Sequence, residues 1–274
     1  MVARGGFEQK QAADARLKKR NAIVLTLALA ALGAVSMAQA EVAQKGNVRV
    51  TFDASLTPRT LPRSGERPVK VSFSGAISAV RKNGPPPLLH KIEIAINRSG
   101  HINPGGLPSC GIDEIQPATT GDALVACGPS LVGQGHFSAK VGLPGKSRYP
   151  SEGKLYAFNG SYQGHPAILA HIFGRRPVAT SFTLPFVISR TRGEFPTVLT
   201  AVIPDAEQSF VTGINLTLSR TFESKGKRRG YVSAGCPAPQ GVRVAAVPLA
   251  KVAYGFVGGQ RVTSTLTRSC RAEG

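Results

Sequence analysis

The sequence predicts an all-β protein: an antiparallel β-sandwich of about twelve strands with one short helical excursion. The alternative is two smaller immunoglobulin-like sandwiches in tandem. Two observations point to this class. Apolar and polar residues alternate with period two in a series of runs from Val48 to the C-terminus. Turn chemistry separates the runs and leaves only short connections between them.

The first 40 residues are of another kind. Arg16, Lys18, Lys19 and Arg20 precede an uncharged run over 22–35 (AIVLTLALAALGAV), and Ala38-Gln39-Ala40 follows. A basic patch, an apolar core and small side chains at the cleavage position make a Sec-type secretory signal peptide, removed after Ala40. The competing reading is an uncleaved anchor. Its apolar core is short for a hydrocarbon layer of ~30 Å that needs about 20 residues. No cysteine stands at the position directly after the cleavage point and no Arg-Arg pair precedes the apolar run, which argues against a lipoprotein or a twin-arginine substrate. The mature chain, 41–274, is expected to be one secreted domain with no membrane span.

Strands are expected in order at 48–56, 69–79, 88–96, 131–143, 154–158, 167–173, 181–189, 197–203, 210–222, 231–234, 242–256 and 261–267. In 88–96 the isoleucines Ile92, Ile94 and Ile96 share one face, while Lys91, Glu93 and Ala95 share the other. Breaks fall at Asn83-Gly84 with its following prolines, at Pro144-Gly145 and at Gly258-Gly259, the last a hairpin signal. Only 112–127 lacks alternation. There Thr120 is expected to cap a helix over 122–126, with Asp122 favourably placed at its N-terminus. A division into two domains would fall near 145–153, but no low-complexity linker marks it.

Charge and cysteines narrow the function classes. The chain carries 34 basic and 15 acidic residues, net +19; six and two of these lie in 1–40, leaving 28 against 13, or +15. Cys110, Cys127, Cys236 and Cys270 all fall in the exported part, and an even number there reads as two disulfides with three possible connectivities. The local pairing, Cys110–Cys127 with Cys236–Cys270, closes the shortest loops and stabilises by about 3 and about 4 kcal/mol. A zinc site lacks its usual C-x₂-C pair, and no metal or other cofactor is expected.

Several stretches resemble a group of uncharacterised secreted β-rich proteins of high-GC Gram-positive bacteria. They are HKIEIAINRSGHINPGGLPSC (90–110), IQPATTGDALVACGPSLVGQGHF (115–137), GKLYAFNG (153–160), FTLPFVISRTRGEFPTVLTA (182–201), GYVSAGCPAP (230–239) and STLTRSC (264–270). The resemblance implies export and a β-rich fold, and it carries no catalytic residue.

No catalytic constellation stands out. His90, His101, His136, His165 and His171 show no metal-ligand spacing, and H-E-x-x-H, EF-hand, dinucleotide and G-x-S-x-G patterns are missing. Acidic pairs occur at Asp113-Glu114 and at Asp205 and Glu207, the latter read as a solvated turn after Pro204. The signal above background is positive charge: Lys225, Lys227, Arg228 and Arg229 in SKGKRRG, with further pairs at Arg175-Arg176 and Arg190/Arg192. If these meet at one edge they form a field attractive to polyanions. The partners expected for an exported chain are anionic cell-wall polymer or acidic polysaccharide. Sequence-specific nucleic-acid binding is not expected, because no aromatics interleave the basic run. The N-x-[ST] triplets at Asn97, Asn159 and Asn215 are read as chance. The chain therefore reads as an exported non-enzymatic protein of the envelope or exterior. The alternative is a secreted hydrolase of carbohydrate or ester bonds, with a site assembled from distant strands.

The exported protein is expected to begin at Glu41. Mass spectrometry of its N-terminal peptide checks this, and a chain retaining 22–35 would mark an uncleaved anchor instead.

Overall fold

Alternation in the sequence becomes strands almost run for run. The computed structural model describes residues 40–81, 87–142, 148–175, 179–204, 210–224 and 226–273. The chain starts with β1 (Glu41–Lys45) and β2 (Val48–Thr57), then the short β3 (Thr60–Leu61) and β4 (Arg67–Pro68). The long β5 (Lys70–Ala79) and β6 (Leu89–Ile96) precede a third short strand, β7 (Gly100–Ile102). Two helices follow, α1 (Ile112–Ile115) and α2 (Thr120–Cys127). A meander comes next: β8 (Leu131–Val141), β9 (Tyr149–Tyr162), β10 (His165–Gly174), β11 (Thr180–Arg190), β12 (Thr197–Val202) and β13 (Phe210–Leu218). The chain ends with β14 (Thr221–Ser224), β15 (Lys227–Gly230), β16 (Val232–Ala234), β17 (Val244–Phe256) and β18 (Arg261–Ala272).

The fold is all-β, as the periodicity predicts. Thirteen strands pair in one sheet, in the order β1-β2-β5-β13-β8-β9-β10-β11-β12-β6-β17-β18-β3. All its long neighbours are antiparallel; only the two-residue β3 runs parallel to β18. A tandem of two sandwiches is not what this pairing shows. The division expected near 145–153 falls where β9 begins, with Tyr149 already paired to Val141 of β8 and 145–147 outside the described residues.

The sheet curls until its two ends meet face to face. Val50, Phe52 and Ile77 of β2 and β5 pack against Val252, Tyr254, Val262 and Leu266 of β17 and β18. One sheet thus supplies both layers of its own core. Where the edges approach, side chains make the seam. Arg268 of β18, with its side chain only 12% exposed, pairs with the Asp53 carboxylate and donates from Nε to the Ala54 carbonyl at 3.1 Å. Its Nη1 lies 3.8 Å from Glu41, and Gln260 Nε2 donates to the Lys45 carbonyl at 2.5 Å.

The two ends of the curled sheet differ. One carries the long connections 58–69, 97–130 and 219–243; the other carries short turns such as the one at Gly258-Gly259 between β17 and β18. At the first end a three-stranded sheet, β4-β16-β7, puts Val232, Ala234 and Ile102 into the main core as a cap. The disulfide Cys236–Cys270, with Cα atoms 5.9 Å apart, ties this cap to β18.

Strands β9 and β10 are buried on both faces, which their alternation alone does not predict. The reason is the segment 110–130, which packs Ile115, Ala123 and Cys127 onto Phe158, Ala167 and Leu169 on the outer side of the sheet. The disulfide Cys110–Cys127 staples this segment. Its place is the middle of the sheet rather than an edge: the Cys110 amide donates to Asn159 at 3.0 Å and its carbonyl accepts from Ser161 at 3.3 Å. The helix cap is Thr119, one residue earlier than the sequence suggests. Its hydroxyl accepts from the Asp122 amide at 3.3 Å, and the helix runs on to Cys127.

Arg268→Ala is expected to lower the free energy of unfolding by about 2 kcal/mol, read from urea melts, because charge-assisted bonds at the seam are lost. Arg261→Gln removes only an exposed partner of Glu93 and is expected to cost under about 1 kcal/mol. Equal losses for the two variants would contradict the seam's special role.

Candidate functional site

The basic segment forms a hairpin tip. β14 and β15 pair antiparallel, Ser224 opposite Lys227 and Glu223 opposite Arg228, and Gly226 at φ +68° allows the tight turn. Phe222 packs against Gly106 and fixes the stem. Lys227, Arg228 and Arg229 are all exposed, and Arg228 Nη2 makes one long bond of 3.4 Å to Thr221 Oγ1. Lys225 lies outside the described residues.

The other basic pairs do not all gather there. Arg190 and Arg192 lie at or beyond the end of β11, at the capped end of the sheet, as does the hairpin. Arg190 Nη1 donates to Thr197 Oγ1 at 2.6 Å. Arg175 follows Gly174, which pairs with Thr180 at the start of β11, so it lies at the opposite end. Eleven residues of extended strand, roughly 34 Å by strand rise, separate the two ends of β11. Arg176 lies outside the described residues, as do Asp205 and Glu207.

Several other sequence candidates have structural partners. Asp113 and Glu114 belong to the first turn of α1, where the Glu114 carboxylate accepts from the Gly111 amide. Cys110, Cys127 and Glu114 lie close together, yet both sulfurs are bonded to each other and leave no thiolate for a metal. Two of the three N-x-[ST] asparagines are buried in hydrogen bonds: Asn97 Oδ1 accepts from Ser99, and Asn159 Nδ2 donates to the carbonyls of Pro104 and Pro108. His171 is fully buried, its Nδ1 3.4 Å from Thr183 Oγ1. Burial holds its imidazole below the ordinary value of 6.5, with the Ile115 backbone opposing. His136 lines a shallow groove with Glu152 and Lys154.

One constellation escapes sequence reasoning. At the capped end an open cleft of about 750 Å³ gathers Arg63, Glu66, Arg98, His101 and Glu194 from three separate stretches of chain. His101 Nδ1 lies 2.6 Å from Glu66 Oε2. Arg63 is held by the carbonyls of Ala238, Pro239 and Val242, while the Arg98 amide donates to the Glu194 carbonyl at 2.9 Å. The backbone of Gly235 closes on Gly65 so tightly that a Cβ there would meet the Gly65 carbonyl oxygen at 2.4 Å. Behind the cleft lies an apolar cavity of about 110 Å³. Left empty, a void of that size costs about 2–3 kcal/mol against a filled core. The signal for this site was thin: only Asn97-Arg98-Ser99 and His101, on a connection with no motif.

No protein-family model, curated protein or solved structure matches the chain. Among the described residues no helix is long and apolar enough to cross a membrane.

Because the folded imidazole of His171 titrates below 6.5, the unfolded chain takes up that proton first as pH falls. This contribution to stability is full above 6.5 and is lost as pH drops through the lower folded value. His171→Gln is expected to flatten the fall in urea midpoint between about pH 7 and pH 5. An unchanged profile would assign the pH dependence to other groups.

Proposed function

We propose that this chain is an exported, non-enzymatic all-β protein of the cell envelope or exterior that contacts anionic polymer through its basic hairpin tip. The observation that carries the reading is the exposure of Lys227, Arg228 and Arg229 on a stem anchored by Phe222. Arginine and lysine on a rigid projection meet a polyanion with little ordering cost, and the net +15 of 41–274 adds a long-range field. Arg190 and Arg192 at the same end extend the field, whereas Arg175 at the far end does not. Two disulfides suit an oxidising exterior.

A second reading, a secreted hydrolase, draws on one observation. Glu66 sets a carboxylate oxygen 2.6 Å from His101 Nδ1 inside a cleft, and a carboxylate beside an imidazole is a pair that general-base hydrolysis uses. Hydrolysis of a short-chain p-nitrophenyl ester that disappears in His101→Gln would support it. Turnover equal in both proteins would remove it.

For the primary reading, binding to purified cell walls is expected to weaken with rising salt and to need the anionic polymer. Replacing Lys225, Lys227, Arg228 and Arg229 by Gln is expected to weaken binding at least tenfold and to flatten the salt dependence. Wild-type binding by the quadruple variant would show that the hairpin is not the contact.

A further inference from the structure

The apolar cavity and the polar cleft share a wall. Ser99, Gly235 and Val247 line both. On the interior side the lining is apolar, with Phe73, Ile94 and Leu218 among its residues. Native interiors pack as densely as organic crystals, with few voids larger than a water molecule. This void exists because small residues stand where the cap meets the sheet: Ala54 on β2, Ala250 on β17, and Ala234 and Gly235 at the end of β16.

The few polar groups on its wall are engaged elsewhere. Ser233 Oγ accepts from Asn103 Nδ2 at 3.0 Å, and Ser99 Oγ donates to Asn97 Oδ1 at 2.9 Å. A water inside would find too few partners, whereas an apolar group displaces nothing well bound. On the cleft side, Arg98 is exposed and its guanidinium has no hydrogen bond or ion pair among the described residues. Its neighbours differ: Arg63 is held by three backbone carbonyls, and Glu66 faces His101. Glu194 is the opposing charge on the rim.

We infer that the capped end is a binding site for a small anionic amphiphile, its apolar tail in the cavity and its anionic head at Arg98 in the cleft. A void of roughly 150 Å³ accepts a benzene ring, so this smaller one takes a tail of about four or five carbons. The head is a carboxylate or a comparable single anion, drawn by Arg98 and by the positive field of the whole chain. None of these residues belongs to the basic hairpin, so the site stands whether or not the hairpin contacts a polymer.

The test is a titration of the isotope-labelled protein, both disulfides intact, with hexanoate, hexanol and hexylammonium, followed by methyl and amide chemical shifts. Hexanoate is expected to bind saturably, to shift the methyls of Ile94, Ile96 and Leu218, and to bind more tightly than hexanol or hexylammonium. Arg98→Gln is expected to weaken hexanoate about five- to tenfold while leaving hexanol unchanged. Ala250→Leu, which fills the cavity, is expected to abolish both. Absence of saturable shifts at those methyls, or hexylammonium binding as tightly as hexanoate, overturns the proposal. So does binding that survives Ala250→Leu. If Ala250→Leu does not fold, Arg98→Gln decides, and hexanoate binding unchanged by it overturns the proposal.

Discussion

A single sheet with one apolar face must hide that face from water, and in this chain it does so by curling. Curling leaves a seam between the first and last long strands and an opening at each end of the strands. The seam is bridged by side chains: Arg268 reaches across to the Asp53 carboxylate and the Ala54 carbonyl, and Gln260 reaches the Lys45 carbonyl. At one end the cap β4-β16-β7 fills the opening with Val232, Ala234 and Ile102. The core holds together because both closures are made. Arg268 is well suited to its place, since a nearly buried guanidinium needs several acceptors and an unpaired strand edge supplies a carbonyl as one of them.

The cap and the outer helical segment each carry a disulfide, and the placement follows from what each piece lacks. The cap strands are two or three residues long, too few to hold by ladder hydrogen bonds alone. Cys236–Cys270 fastens them to β18, the strand that also makes the seam. The helical segment contains one helix of four residues and one of eight, both below the length that is stable in isolation. Cys110–Cys127 closes it into a loop, and Ile115 and Ala123 bury it on β9 and β10. The same packing buries His171 on the sheet's outer side, and that burial lowers its pKa.

The candidate binding features gather at the capped end, where the long connections lie. Long connections bring the basic hairpin, Arg190 with Arg192, and the cleft with its cavity to one end of the strands. A rigid strand scaffold displaying irregular segments at one end is a common way for β proteins to present binding residues. The hairpin and the cleft offer different chemistry: a projecting cationic tip fits an extended polyanion, whereas a recessed apolar void behind a charged rim fits a small amphiphile.

How much of this was legible follows from the range of each interaction. Period-two alternation is local, so most long strands could be read with ends correct to within a few residues; β9 and β18 extend well beyond their expected runs, and the run expected over 210–222 divides into β13 and β14. The basic run was legible as a charged connection, but its pairing of Lys227–Gly230 with Thr221–Ser224 was not, because four residues show no period. The pairing of cysteines by shortest loop also agrees with the structure. Strand order was not legible: β5 pairs with β13, and β6 lies between β12 and β17, pairings that depend on the whole chain curling. The short β3, β4 and β7 have too few residues to show a period. The cleft joins Glu66, Arg98, Glu194 and Gly235 across long separations, and its cavity comes from small residues meeting where cap and sheet fail to fill space. By itself the sequence determined most of the long strands, the charge and the cysteine inventory. The tertiary structure decided which strands are neighbours and where a void remains, because packing depends on residues that only folding brings together.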